Sequence, residues 1–226
     1  MGVVWGLGMG EVFLRERIGN GDLRVVVAGL VAYGDLGWIF LAAVLTYGWL
    51  SGVEGLSTAR RWAMTIGVGA MLVGLAGGYG GWPMGKLRFS SSLGMKMGAV
   101  PIGWLMLWFC LLIGARQGAQ RVMPGAGRWR VALLTGFFLA VTDGILEPVA
   151  SPIRGWWFWR GSSVTGVFSL PWIHLGWWIV GSGVAGMLGG ERVAGGRRKG
   201  GSRPLAIYLL FNALCVVANL GRWLRG

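Results

Sequence analysis

Six long apolar runs dominate the chain, and short polar or glycine-rich stretches separate them. They fall at about Val25–Leu50, Trp62–Tyr79, Met97–Ala115, Val131–Val149, Val164–Leu188 and Pro204–Leu220. A helix rises about 1.5 Å per residue, so runs of this length suit a hydrocarbon layer of about 30 Å. Isolated strands would leave backbone groups unsatisfied in lipid, so the runs are read as helices. The predicted fold class is all-α: a polytopic transmembrane helical bundle, one integral membrane domain over residues 1–226. A further apolar segment ends at Leu14. It is too short to cross by the same measure and is placed at the interface or as a re-entrant piece; the count becomes seven if it crosses. It lacks the basic n-region of a signal peptide.

Charge gives the bundle a direction. Arg116, Arg121, Arg128 and Arg130 follow the third run, and Arg192, Arg197, Arg198, Lys199 and Arg203 follow the fifth. The positive-inside rule puts both connections in the cytoplasm. Two connections rich in Gly, Pro and aromatics, residues 77–101 and 147–171, then share the opposite side. The net charge of +13 does not indicate nucleic acid, because the cations sit between apolar runs, where they meet lipid headgroups. Membrane lipids are the first expected partner. Charged residues make up 13% of the chain, about half the usual share in soluble domains, while Gly (44) and Trp (15) are abundant. Both suit a membrane bundle: Gly lets helices approach, and Trp marks the interface. Cys110 and Cys215 lie in separate runs and His174 is the only histidine, so neither a soft-ligand metal site nor a disulfide framework is expected.

Acids inside apolar runs are expensive and lean towards function. Asp143 and Glu147 stand four apart in VTDGILEPVA and share one helix face. Two carboxyls held close in low dielectric can leave one protonated, which suits general acid work. The plainer reading puts Glu147 at the water boundary and Asp143 on an Arg or a backbone group. Asp35, mid-run, is a partner acid or proton relay, or else makes an interhelical hydrogen bond to Ser, Thr or Tyr. Trp156, Trp157 and Trp159 line a groove for a long apolar ligand and stabilise a cation through their faces, or they anchor a loop at the interface. Trp172, Trp177 and Trp178 admit the same two readings. Arg154 and Arg160 pair with Glu147 or meet headgroups, and His174 relays a proton or is structural. Pro83, between Gly81 and Gly85, breaks the helix and shapes a bend.

The order of these elements resembles the membrane carotenoid biosynthesis family that includes carotenoid 1,2-hydratases and bisanhydrobacterioruberin hydratases. Gly81, Pro83 and Gly85 answer its Gly-x-Pro-Phe-Gly-x-Tyr element; Leu93 and Gly94, then Val100, Pro101 and Trp108, answer the next two. Asp143, Leu146, Glu147, Pro148, Val149, Trp157 and Trp159 follow in the family's order, and Gly166, Val167, Pro171, Gly176 and Trp177 answer a later element. The resemblance covers roughly residues 65 to 180. Gly74 stands where the family carries a Glu, Met84 where it carries Phe, and Leu87 where it carries Tyr.

The resemblance implies addition of water across a terminal isoprenoid double bond of a carotenoid, in a bacterial plasma membrane. It implies Glu147 as acid, Asp143 orienting it or guiding water, and Trp157 and Trp159 shielding the cation. Asp35 and His174 complete the catalytic candidates; Trp156, Trp172, Trp177 and Pro83 complete the substrate-binding ones. The step needs no organic cofactor or metal. The expected ligand is a long apolar carotenoid or related isoprenoid lipid, with pathway enzymes as further partners. The alternatives are another prenyl-lipid isomerase or cyclase, and a carotenoid-binding or transport protein without chemistry.

Overall fold

A computed structural model describes residues 21–81, 85–160, 180–183 and 201–224. Helix α1 is Gly21–Glu54 and α2 is Leu56–Leu75, which runs on into a π-helical turn, Ala76–Gly80. Strands β1 (Lys86–Phe89), β2 (Lys96–Met97) and β3 (Val100–Pro101) precede α3, Ile102–Val122. Helix α4 is Arg128–Ala150, β4 is Trp157–Arg160 and α5 is Arg203–Trp223. Five of these helices have stretches long and apolar enough to cross a membrane, the α1 stretch being Tyr33–Glu54. They match five of the six predicted runs. The predicted fifth run, 164–188, lies outside the described residues except for one helical turn at 180–183.

The third run starts later than its hydropathy suggests. Met97 belongs to a small hairpin, with Lys96 opposite Pro101 and Met97 opposite Val100. Pro101, extended at φ −80° and ψ 149°, ends the hairpin and opens α3, as a residue without an N–H can at a helix start. Between α1 and α2 a single residue reverses the chain. Gly55 has φ 88°, a conformation open to glycine and costly for other residues.

Helix α3 is the hub. It packs against α1, α2, α4 and α5, and 72% of its most apolar window is buried, against 17% for α2. Gly114 makes one of these contacts possible: a Cβ there would collide with Tyr208 and lie 2.7 Å from the Pro204 carbonyl oxygen of α5. The outer faces stay apolar. Phe40 and Leu41 on α1, Met64 and Leu72 on α2, Phe137 on α4 and Val217 on α5 are all exposed. Apolar surface on every outer helix is what hydrocarbon contact requires and what water penalises.

The two ends of the bundle differ. At one, Arg116 of α3 reaches Glu54 of α1 at 2.9 Å and lies over the Trp62 ring of α2. There Trp49 and Gln117 both donate to the Gly201 carbonyl, while the Leu205 N–H donates to Gln117 Oε1. Helix α5 is thus capped by α3, its own N-cap residue making no side-chain bond. At the other end the two aromatic connections pair. Strands β1 and β4 run antiparallel, Lys86 opposite Arg160 and Phe89 opposite Trp157, and the Ser90 N–H continues the ladder to the Trp156 carbonyl. The connections do share one side, as expected. They form a short sheet there as well as linking helices.

Candidate functional site: a buried acid and indole cluster

The last turn of α4 carries Glu147 and Pro148, both buried. Proline cannot donate to the preceding turn. Asn219 of α5 donates to the nearby Ile145 carbonyl at 2.8 Å, the kind of help from a neighbouring helix that lets proline sit in a membrane span. The chain then folds back. Backbone bonds from Arg154 to Val149 and from Trp156 to Ala150 close the turn, and Gly155 has φ 59°.

Alternation along β4 does the rest. Residues two apart on a strand share a face, so Trp157 and Trp159 both turn to Glu147. The Trp157 indole N–H donates to Oε1 and that of Trp159 to Oε2, each at 3.0 Å. Phe158 between them is exposed. Glu147 is 1% exposed, so the two indoles replace the water it gave up.

A second acid is held the same way. Trp156 donates to Asp35 Oδ2 at 2.9 Å and Trp38 to Oδ1 at 3.3 Å. The Arg154 guanidinium lies 3.6 Å from Oδ1, both side chains being 2% exposed. Rings fill the space between the two acids. Trp157 meets Trp104 edge-on at 5.0 Å and lies 5.9 Å from Trp156; Trp104 meets Phe89 and Trp108 edge-on. Trp38 packs on Trp156 and on Phe211 of α5. Edge-to-face contacts of this kind add to plain burial.

The structure therefore brings together Glu147, Asp35, Trp156, Trp157 and Trp159, with Asp143 buried one turn before Glu147 on α4. His174, Trp172, Trp177 and Pro83 lie outside the described residues. The structure also adds to the sequence reading. Asp35 takes indole and guanidinium donors, because the turn after α4 delivers Arg154 and Trp156 to it. Arg154 reaches Asp35, a partner the sequence reading did not name. Trp156 and Trp157 are fully enclosed and present no surface either to an interface or to an open groove. Sequence reasoning missed Trp38 and Trp104. Trp38 had a signal, standing three residues after Asp35 on the same helical face. At Gly74 a Cβ would lie 2.7 Å from Val100 and 3.5 Å from Trp104 Nε1, so side chains already occupy that space. Among the described residues no three His, Cys, Asp or Glu groups converge as metal donors.

Lipid-facing helices around a buried cluster of acids and indoles define an integral membrane protein with its polar core at one end of the bundle. The chain belongs to the carotenoid biosynthesis protein family, whose profile matches residues 29–225. That match takes in α1 with Asp35 and α5 with Asn219, beyond the stretch that carried the resemblance. No curated protein and no solved structure matches the chain.

Proposed function

We propose that the protein is a carotenoid hydratase of a bacterial plasma membrane, with Glu147 as its acid. The observation that carries this reading is the grip of Trp157 and Trp159 on the two oxygens of a buried carboxyl. Two fixed donors hold the group in one orientation. A protonated carboxyl keeps acceptor capacity for them while gaining an O–H to give. In the reaction Glu147 gives its proton to one carbon of a terminal isoprenoid double bond, and the neighbouring carbon becomes a tertiary cation. The carboxylate left behind and the indole faces stabilise that cation. Water adds through oxygen and returns one proton to Glu147, so the net change is one water added. Asp143 orients the acid or guides the water. Asp35 acts at a distance, holding Trp156 against Trp157.

The topology that goes with this reading has six spans. Strand β4 ends beside β1, at the Glu147 end, and Gly201 sits at the Arg116 end; the chain between them has the thickness of the bundle to cover.

Mass spectrometry of carotenoids from cells making an acyclic precursor, with and without the protein, tests the reading. A product heavier by one water is expected, absent from an empty-vector strain and from Glu147→Gln. An isomer of unchanged mass points to isomerase or cyclase chemistry. Carotenoid that co-purifies unchanged points to a binding protein.

A further inference from the structure

Cations crowd the end of the bundle that lies away from Glu147. Arg60 and Arg61 stand near the start of α2, Arg121 in the last turn of α3, Arg128 and Arg130 at the start of α4, and Arg203 at the start of α5; all six are exposed. Among the described residues Glu54 is the one carboxylate at this end, and Arg116 takes it at 2.9 Å. None of the six exposed arginines has a carboxylate partner among the described residues. In the sequence, the connection that leads to Gly201 adds Arg192, Arg197, Arg198 and Lys199 against Glu191 alone. Like charges gathered on the ends of packed helices repel one another, so an anion from outside the chain is favoured there.

The corner between α3 and α4 says which anion. Val122, Met123 and Trp129 are interleaved with Arg121, Arg128 and Arg130, and they are exposed too. The Arg128 guanidinium lies 6.0 Å from the Trp129 ring. Two membrane-crossing stretches end at this corner, Ile102–Val122 and Arg128–Ala150. It therefore stands where hydrocarbon gives way to headgroups, the level that tryptophan and arginine favour. An acidic protein would meet the arginines from water and leave the three apolar side chains uncovered. A lipid covers both: acyl chains lie on Val122, Met123 and Trp129, and the phosphate takes the guanidinium forks, whose planar donors match it. We propose that the α3–α4 corner is a binding site for an anionic phospholipid, whose phosphate supplies the counter-charge that the chain itself lacks at this end. The site is remote from Glu147, so the proposal stands or falls apart from the hydratase reading.

Native mass spectrometry of the full, delipidated chain in detergent tests it. The protein is titrated with phosphatidylglycerol or with phosphatidylcholine of the same acyl chains. Phosphatidylglycerol is expected to be retained at lower concentration. Arg128→Gln combined with Arg130→Gln is expected to weaken its retention about 25-fold, at about fivefold per arginine, and to leave phosphatidylcholine unchanged. Lys86→Gln combined with Arg88→Gln removes as much exposed charge at the opposite end and is expected to change neither. All four substituted side chains are exposed, and thermal unfolding confirms that both double variants fold as the wild type does. Equal retention of the two lipids overturns the proposal, as does equal loss from both double variants, which would mean diffuse charge and no site. Competition by glycerophosphoglycerol, the same headgroup without acyl chains, at the lipid's own concentration also overturns it, since the corner would then take free phosphate esters.

Discussion

Arg154, in the turn after α4, is a buried cation, and Asp35 is the acid that answers it at 3.6 Å. Removing one member of a buried pair costs about 3–5 kcal/mol, because the other charge is left uncompensated. Arg154→Met is therefore expected to lower stability by that amount, read as the midpoint of detergent-induced unfolding. Asp35→Asn combined with Arg154→Met is expected to recover most of the loss. Asn219→Leu removes a single interhelical hydrogen bond, and about 0.6 kcal/mol is expected there. A loss at Arg154 no larger than that at Asn219 would show that the ion pair is not what holds the turn. Among residues, the acids were legible in the sequence because few acids interrupt its apolar runs. Their partners were not: Trp156 lies 121 positions from Asp35, and no local pattern links two such positions.

The elements differ in how plainly the sequence announces them. Hydropathy finds the helices because each must hide its backbone from lipid on its own. Strands β1 and β4 hide theirs in each other, and KLRF and WFWR are too short for their alternation to stand out. Yet this ladder is what brings Trp157 and Trp159 to one carboxyl. Between helices the decisive positions are small. A Cβ at Gly114 collides with α5, whereas Gly69 on α2 has nothing within 4 Å. Gly114→Val is expected to cost about 1–3 kcal/mol through overpacking, and Gly69→Val to stay within about 0.5 kcal/mol, both by thermal unfolding in detergent. Equal effects would mean that α3 and α5 can part without penalty.

For the molecule as a whole, six of the eight exposed arginines among the described residues lie at one end: Arg60 and Arg61, Arg121, Arg128 and Arg130, and Arg203. The positive-inside rule predicts that this end faces the cytoplasm. Both native cysteines are buried, so an introduced cysteine reports alone. Arg88→Cys is expected to label with an impermeant maleimide in intact cells, and Gly125→Cys only after lysis; the reverse result inverts the orientation. The long reach between Asp35 and the turn after α4 also bears on how the protein is made. A ribosome adds about 5–20 residues per second, so Asp35 emerges roughly 6–24 s before Trp156. For that interval the first helix carries, near the start of its membrane-crossing stretch, an acid whose two later partners do not yet exist. The insertion machinery must shelter it or hold it near water until the fourth helix has been threaded. Biogenesis of this chain is then a matter of timing, and a pause in translation between the two positions should raise the fraction degraded before assembly.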